Sequence, residues 1–359
     1  MLHSGRRPSR ERCDGSALVT ESVTAHPWGS RSKWRAKNGA VVAGAVLAAA
    51  ILARALFSSA RVPVPPLMRD AATLAISVFV ESLPFVILGI LLSVVVQFWV
   101  PPLLLERVLP RRPAARRAAL SLFGVVLPVC ECGNVPLARG LMQRGFTPAE
   151  SLTFLLAAPI LNPVTILTTY HAFGWDSGIL AARVIGGFAI SNLVGWWISG
   201  HPRPQDLLTP GFQTSCAHER DGTNGASRWG RSAAAVRAEF ATLMPALAIG
   251  SAIAGVIQVG AFRGALVALG SHPLWSVLAL LALAFVVSIC SNVDAFFVLS
   301  LSGSFLPGSV VAFLLLGAML DLKMVALLRT TFRMHVIVSL VVVIAGCSAA
   351  IGWGLNLVG

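Results

Sequence analysis

Apolar segments long enough to cross a bilayer recur along the chain at 39–59, 71–100, 118–141, 146–170, 177–199, 239–262, 273–302, 305–328 and 335–358. About 20 apolar residues span the hydrocarbon as a helix, and an open-ended backbone there can satisfy its own polar groups only as a helix. The pattern restricts the chain to an all-α polytopic integral membrane protein. Composition agrees, since 56% of the 359 residues are hydrophobic and only 12% are charged, against about 25% charged in a soluble domain. The net charge of +13 does not point to nucleic acid. The Arg and Lys residues sit mainly in an N-terminal tail and in short loops, where the positive-inside rule puts them.

Residues 1–38 are polar and basic (Arg6, Arg7, Arg10, Arg12, Arg31, Lys33, Arg35, Lys37) and read as a disordered cytoplasmic tail. No apolar stretch follows Arg6-Arg7 directly, so a cleaved signal peptide is not expected. Residues 39–69 read as an extra N-terminal transmembrane helix and loop. Residues 201–237, polar and carrying five Arg, read as a linker between residues 70–200 and 238–359.

Those two stretches are related. Pro84, Gly89 and Gln97 match Pro245, Gly250 and Gln258 at an offset of 161. Cys130 and Asn134 match Cys290 and Asp294 at 160, and Phe146, Pro148, Phe154 and Asn162 match Phe305, Pro307, Phe313 and Asp321 at 159. The ordered series reads as two permease-like repeats of four segments each, an internal symmetry common in transporters. Charge bears on their sense. The loop after the first segment carries Arg107, Arg111, Arg112, Arg116 and Arg117, and its counterpart near 263–272 carries only Arg263. Residues 170–176 hold no Lys or Arg, whereas the matching end of the second repeat holds Arg329 and Arg333. With basic loops cytoplasmic, the repeats are inverted, and one segment in each is re-entrant: 118–141 and 273–302. Nine full crossings are the alternative, which puts Arg139, Arg144 and the linker outside.

The stretch Cys130-Glu131-Cys132-Gly133-Asn134-Val135-Pro136 lies inside an apolar segment. A carboxylate there is costly unless it faces protein or a water-filled cavity. Pro128, Gly133 and Pro136 read as a helix break, tolerated at membrane depth where backbone lines a cavity or is buried in protein. The second repeat answers with Cys290-Ser291-Asn292-Val293-Asp294. Packed about a pseudo-twofold axis, the two stretches bring Cys130, Cys132 and Cys290 together, a thiol set that suits a soft cation or a thiol-reactive metalloid. The bland alternative is that each Cys is a small buried hydrophobe. Glu131 and Asp294 are candidates for proton coupling, or else carboxylates paired with Arg or capping a half-helix. A second break is expected at Pro159 and Pro163 around Asn162, which either binds substrate or caps a half-helix. Its counterpart carries Asp321, a third coupling candidate, and Lys323, which would neutralise it. Asn134 and Asn292 complete the candidate substrate-binding set. Cys216 and His218 in the linker are too few for structural zinc, which takes four ligands. No cofactor or resident metal is expected, and no phosphate-binding loop ending in Lys-Ser/Thr is present.

Pro128-x-Cys130-x-Cys132-Gly133-x-x-Pro136, followed by Gly145, Phe154 and Pro159-x-x-Asn162-Pro163, resembles the bacterial predicted-permease family that includes the organoarsenical efflux permease ArsP. The resemblance covers about 70–359 and implies a multi-pass permease that exports trivalent organoarsenicals. Many members look like Cys-Ser-Cys where this chain has Cys-Glu-Cys, and the added acid points toward a cationic substrate or proton coupling.

The leading expectation is therefore a secondary transporter, not an enzyme, that exports a small soft or thiol-reactive solute. It would lie in the cell inner membrane with its N-terminus cytoplasmic, in contact with the lipid bilayer and with a small-molecule or metalloid solute. A membrane thiol oxidoreductase using Cys130 and Cys132 is one alternative. The other is a membrane subunit that docks an accessory protein through the basic linker.

Overall fold

The computed structural model describes residues 65–101, 109–126, 129–221, 227–260 and 272–358. The basic tail, the expected transmembrane helix at 39–59, the loop at 263–271 and Pro128 lie outside them, as does the side chain of His218.

The described residues are helical, with no strand among them. The first half comprises α1 (Pro66–Phe98), α2 (Pro113–Val126), α3 (Glu131–Gln143), α4 (Pro148–Leu161), α5 (Pro163–Phe173) and α6 (Ile179–Ser199). A linker helix, α7 (Pro210–Asp221), leads into α8 (Arg228–Gly260), α9 (Pro273–Val287), α10 (Asp294–Leu299), α11 (Pro307–Met319), α12 (Leu322–Leu328) and α13 (Met334–Val358). Proline opens α1, α2, α4, α5, α7, α9 and α11. A first-turn residue needs no N–H, and the fixed φ of proline is already helical there. Thr147 and Glu150 close a reciprocal capping box at the start of α4.

Among the described residues, six helices or end-to-end helix pairs are long and apolar enough to cross a membrane: α1, α4–α5, α6, α8, α11–α12 and α13. Three precede the linker and three follow it. At 33 residues, α1 is about 50 Å long and exceeds the roughly 30 Å hydrocarbon core.

Contacts between named residues give the helix directions. Arg116 meets Glu150, and a side chain at Gly124 would run into Ala158, so α2 and α4 are parallel. Gly133 abuts Phe85 and Gly89, Ser93 Oγ donates to the Pro136 carbonyl at 2.7 Å, and Gly140 lies against Ser93 and Gln97. Thus α3 runs parallel to α1, back toward the end where α2 began. The chain reverses between α2 and α3. In the second half, Ser276 meets Ser309 at 2.7 Å and Gly317 lies against Ala284, so α9 parallels α11 as α2 parallels α4. Helices α1 and α8 are antiparallel. Trp99 packs edge-on against Trp229 at 4.9 Å at one end, and Gly255 lies against Ala71 and Ala75 at the other.

The second break falls at Asn162, as expected, but three residues expected to break a helix lie inside one. Gly133 and Pro136 lie inside α3, and Pro159 lies inside α4. Pro163 opens α5. The first half breaks at Val129–Cys130 and at Asn162, where side-chain amides replace lost helical hydrogen bonds. Asn134 Nδ2 and Asn162 Nδ2 donate to the Val129 carbonyl at 3.3 and 3.4 Å. An interior proline only removes one N–H and bends the helix, and that cost is met within a packed protein. The linker is also shorter than expected, because residues 228–237 form the first turns of α8; their Ala233-Ala234-Ala235 run favours helix.

The linker is fastened to the far end of α12. Thr209 N donates to the Thr331 carbonyl at 2.9 Å, and Arg333 N donates to the Leu207 carbonyl at 3.0 Å. Arg139 of α3 joins this junction through Glu239 at 2.7 Å, Thr331 at 2.8 Å and the face of Phe212.

Candidate functional site

Four chain breaks meet in the interior: Val129–Cys130, Asn162, Ser288–Val293 and Leu320–Asp321. Cys130 precedes α3, and its carbonyl receives the N–H groups of Gly133 and Asn134, both at 3.1 Å. The Cys290 carbonyl receives those of Val293 and Asp294, at 3.0 and 3.1 Å. The two cysteines therefore occupy the same local turn. Asn162 accepts from Val164 N at 2.9 Å and caps α5. Asp321 accepts from Met324 N at 2.7 Å and caps α12.

Glu131 is the hub. Its position in the first turn of α3 suits a carboxylate, because the helix dipole is positive there. Oε2 accepts from Ser291 Oγ at 3.2 Å and Ser291 N at 3.5 Å, and Cys290 Sγ approaches it at 3.8 Å. Oε1 faces Lys323 Nζ at 3.1 Å. Lys323 Nζ also donates to the Ser288 carbonyl at 3.0 Å and lies 3.5 Å from Asp321 Oδ2. Ser288 holds a left-handed φ of 52°, a conformation uncommon for residues other than glycine. That turn aims its carbonyl at the ammonium.

One atom each from Cys130 Sγ, Glu131 and Cys290 Sγ lie within 4.8 Å of one another, and all three residues are buried. Cys132, on the first turn of α3, is buried as well. Asn134 is fully buried, and its Oδ1 has no partner among the described residues. Gly133 makes the approach possible, because a Cβ there would overlap the Phe85 carbonyl oxygen of α1.

Asp294 lies in a second polar group. Arg183 of α6 grips its carboxylate with both terminal nitrogens, at 2.9 and 2.5 Å, and also donates to Thr169 at 2.7 Å. Asn292 belongs to this side, accepting from Thr165 Oγ1 at 3.2 Å. Of the expected thiol set, Cys130 and Cys290 are brought together beside Glu131. Asn134 and Asn162 border them through Val129. Asp294 is paired with Arg183, Asp321 caps α12 and faces Lys323, and Asn292 holds Thr165.

Arg183 was not among the expected site residues. It is the only charged residue in the segment 177–199, and an ionisable group within a spanning segment implies a buried partner. Counting the two groups together, Glu131, Asp294 and Asp321 supply three formal negative charges and Lys323 and Arg183 two positive, leaving one negative charge in excess.

Comparison with known proteins agrees with these features. The profile of the ArsP predicted-permease family matches residues 67–356. The chain is 33% identical to the UPF0718 protein YcgR of Bacillus subtilis (strain 168) over 276 residues, covering 76% of this chain and 93% of that protein. It is 27% identical over 278 residues, covering 77% of this chain and 92% of the relative, to a Streptococcus mutans protein provisionally named a two-component membrane permease complex subunit. The UPF0718 protein YraQ of Escherichia coli (strain K12) is 26% identical over 198 residues, 53% of each chain. No solved structure matches. With the family profile matched over most of its length and six helices or helix pairs able to span a bilayer, the chain is a multi-pass membrane protein of the ArsP predicted-permease family.

Proposed function

We propose that the chain is a secondary permease that carries a small thiol-reactive solute through a mid-membrane site between two inverted repeats. The observation that carries this reading is the meeting of two corresponding chain breaks, at Cys130 and Cys290, around Glu131 inside a set of six apolar spans. Irregular backbone at membrane depth is tolerated only where it is buried in protein or lines a cavity, and transporters use such breaks as binding sites.

Packing supports the repeat. Helices α2, α4 and α6 pack on one another as α9, α11 and α13 do, and the contact of α3 with α12 is mirrored by that of α10 with α5. Helices α1 and α8, α4 and α11, and α6 and α13 pack on their own counterparts. Asn162 and Asp321, matched in sequence, both cap half-helices. Three spans per half, with antiparallel α1 and α8, favour inversion. One end of the bundle then gathers Arg112, Arg116, Arg139, Arg144, Arg203, Arg231, Arg329 and Arg333, and the positive-inside rule makes that end cytoplasmic. The hairpin of α2 and α3 would enter from that end and return to it.

In this reading Cys130, Cys132 and Cys290 recognise the solute, Asn134 and Asn162 shape the turn beside it, and Glu131 is the group free to exchange its counter-charge. Rocking of the repeats would expose the site to either side in turn. Similarity to a family that includes an organoarsenical efflux permease favours export, with trivalent organoarsenicals or soft metal species as solutes. The name of the Streptococcus mutans relative supports a second reading, in which the chain is one subunit of a permease complex. Here the linker helix α7, fastened between α3 and the α12–α13 junction, would receive the partner.

Vesicles reconstituted with the purified chain test this function. Uptake of methylarsenite or cadmium under an imposed proton gradient is expected from the chain alone. Uptake that requires a co-purified protein supports the complex reading, and no uptake of any thiol-reactive solute in either preparation contradicts both.

A further inference from the structure

Resting on the permease reading of the same site, we propose that Cys130, Glu131 and Cys290 bind a divalent thiophilic cation of the zinc and cadmium class, with Lys323 as the built-in charge that the cation displaces. Geometry comes first. Tetrahedral ligation with metal–sulfur bonds of about 2.3 Å sets sulfur atoms about 3.8 Å apart. The three donor atoms already lie within 4.8 Å of one another, so closure needs a movement of about 1 Å or less.

The mixed donor set separates this ligand from a trivalent arsenical. Arsenic(III) species take thiolates, and a carboxylate adds nothing to a neutral arsenic–sulfur adduct. A carboxylate between two sulfurs does suit a borderline-soft metal ion, which takes Cys and Glu together. Ser291 Oγ, 3.2 Å from Glu131 Oε2, orients that carboxylate from behind.

Charge points the same way. Glu131 and Asp321 share the one ammonium of Lys323, at 3.1 and 3.5 Å. A cation arriving at Glu131 leaves Lys323 a second carboxylate to turn to, already within reach. On ligation each thiol loses its proton to water, a metal–sulfur bond replaces each S–H bond, and the metal keeps its 2+ state. No electron is transferred.

The test uses the full chain in detergent with Cys13, Cys216 and Cys347 changed to Ser, titrated with Cd2+. Binding is read from the thiolate-to-cadmium charge-transfer absorption and from protection of Cys130 and Cys290 against alkylation. One equivalent is expected to saturate both signals. Cys290→Ser should lower the absorption and weaken binding about tenfold or more, and Glu131→Gln should weaken it about tenfold with the absorption preserved. Lys323→Gln should tighten binding, because the competing ammonium is gone. Weaker or unchanged binding in Lys323→Gln, or cadmium that ignores Cys290→Ser, overturns the assignment. Variants that do not fold are bypassed by the unmutated site: failure of Cd2+ to protect Cys130 and Cys290 there also overturns it. Organoarsenical transport without cadmium binding removes the metal site and leaves the permease. Cadmium binding without transport of any solute keeps the site and removes the permease.

Discussion

Glu131 and Lys323 form a buried ion pair of 3.1 Å that joins the first turn of α3 to the first turn of α12. Each residue is 2% exposed at its side chain, so neither charge has water to fall back on. Removing one member of such a pair costs about 3–5 kcal/mol, because the other is left buried and uncompensated. Lys323→Gln should therefore lower the unfolding midpoint in detergent, and Cd2+ should restore much of the loss by binding the folded state. The double variant Glu131→Gln, Lys323→Gln should be more stable than either single one. Additive losses would mean that the pair is not coupled.

Arg183 and Asp294 tie α6 to α10 with two parallel hydrogen bonds. Lysine keeps the charge but not the planar fork. Arg183→Lys is expected to destabilise by about 2 kcal/mol or more, and a double-mutant cycle with Asp294→Asn should return a coupling of at least about 1 kcal/mol. Thermal unfolding of the four proteins measures it. Independence of the two changes would contradict the pairing.

Much of this was legible in the sequence. The apolar segments fall within a few residues of α1, α4–α5, α6, α11–α12 and α13, because length and hydropathy alone specify a span, whereas α8 begins eleven residues before its apolar segment. The meeting of Cys130 with Cys290 followed from their offset of 160 residues. The break at Asn162 stands where it was expected, but Pro136 and Pro159 were misread as breaks because proline is a visible signal and a buried amide is not. Pro136 stays helical, whereas Val129 leaves the helix where Asn134 and Asn162 can reach its carbonyl. The role of Asp294 was hidden for a different reason. Its partner, Arg183, comes from another segment, and no spacing rule relates them.

Gly133 and Gly89 allow α3 to lie backbone to backbone on α1. Gly133→Ala should destabilise by about 1–3 kcal/mol, since its Cβ would overlap the Phe85 carbonyl oxygen, which is backbone, as well as Val129 Cγ1. Gly303→Ala, with nothing within 4 Å of the new Cβ, should be neutral. Equal unfolding midpoints for the two variants would contradict the close crossing.

Inverted repeats predict sidedness. Single cysteines replacing the exposed residues Arg112, Arg203 and Gly230 should react with an impermeant maleimide from the cytoplasmic side of sealed vesicles. Cysteines replacing Asp176 and Gly303, both exposed, should react only from the opposite side. Labelling of all five from one side would contradict the inversion.

The central claim is that solute passes through the thiol and carboxylate site at Cys130, Glu131 and Cys290. Its most direct test is transport of cadmium and of methylarsenite into proteoliposomes, comparing the unmodified chain with the Cys130→Ser, Cys290→Ser double variant at matched protein content. The account predicts transport of at least one of these solutes by the unmodified chain and its loss in the double variant. Undiminished transport by the double variant would contradict it.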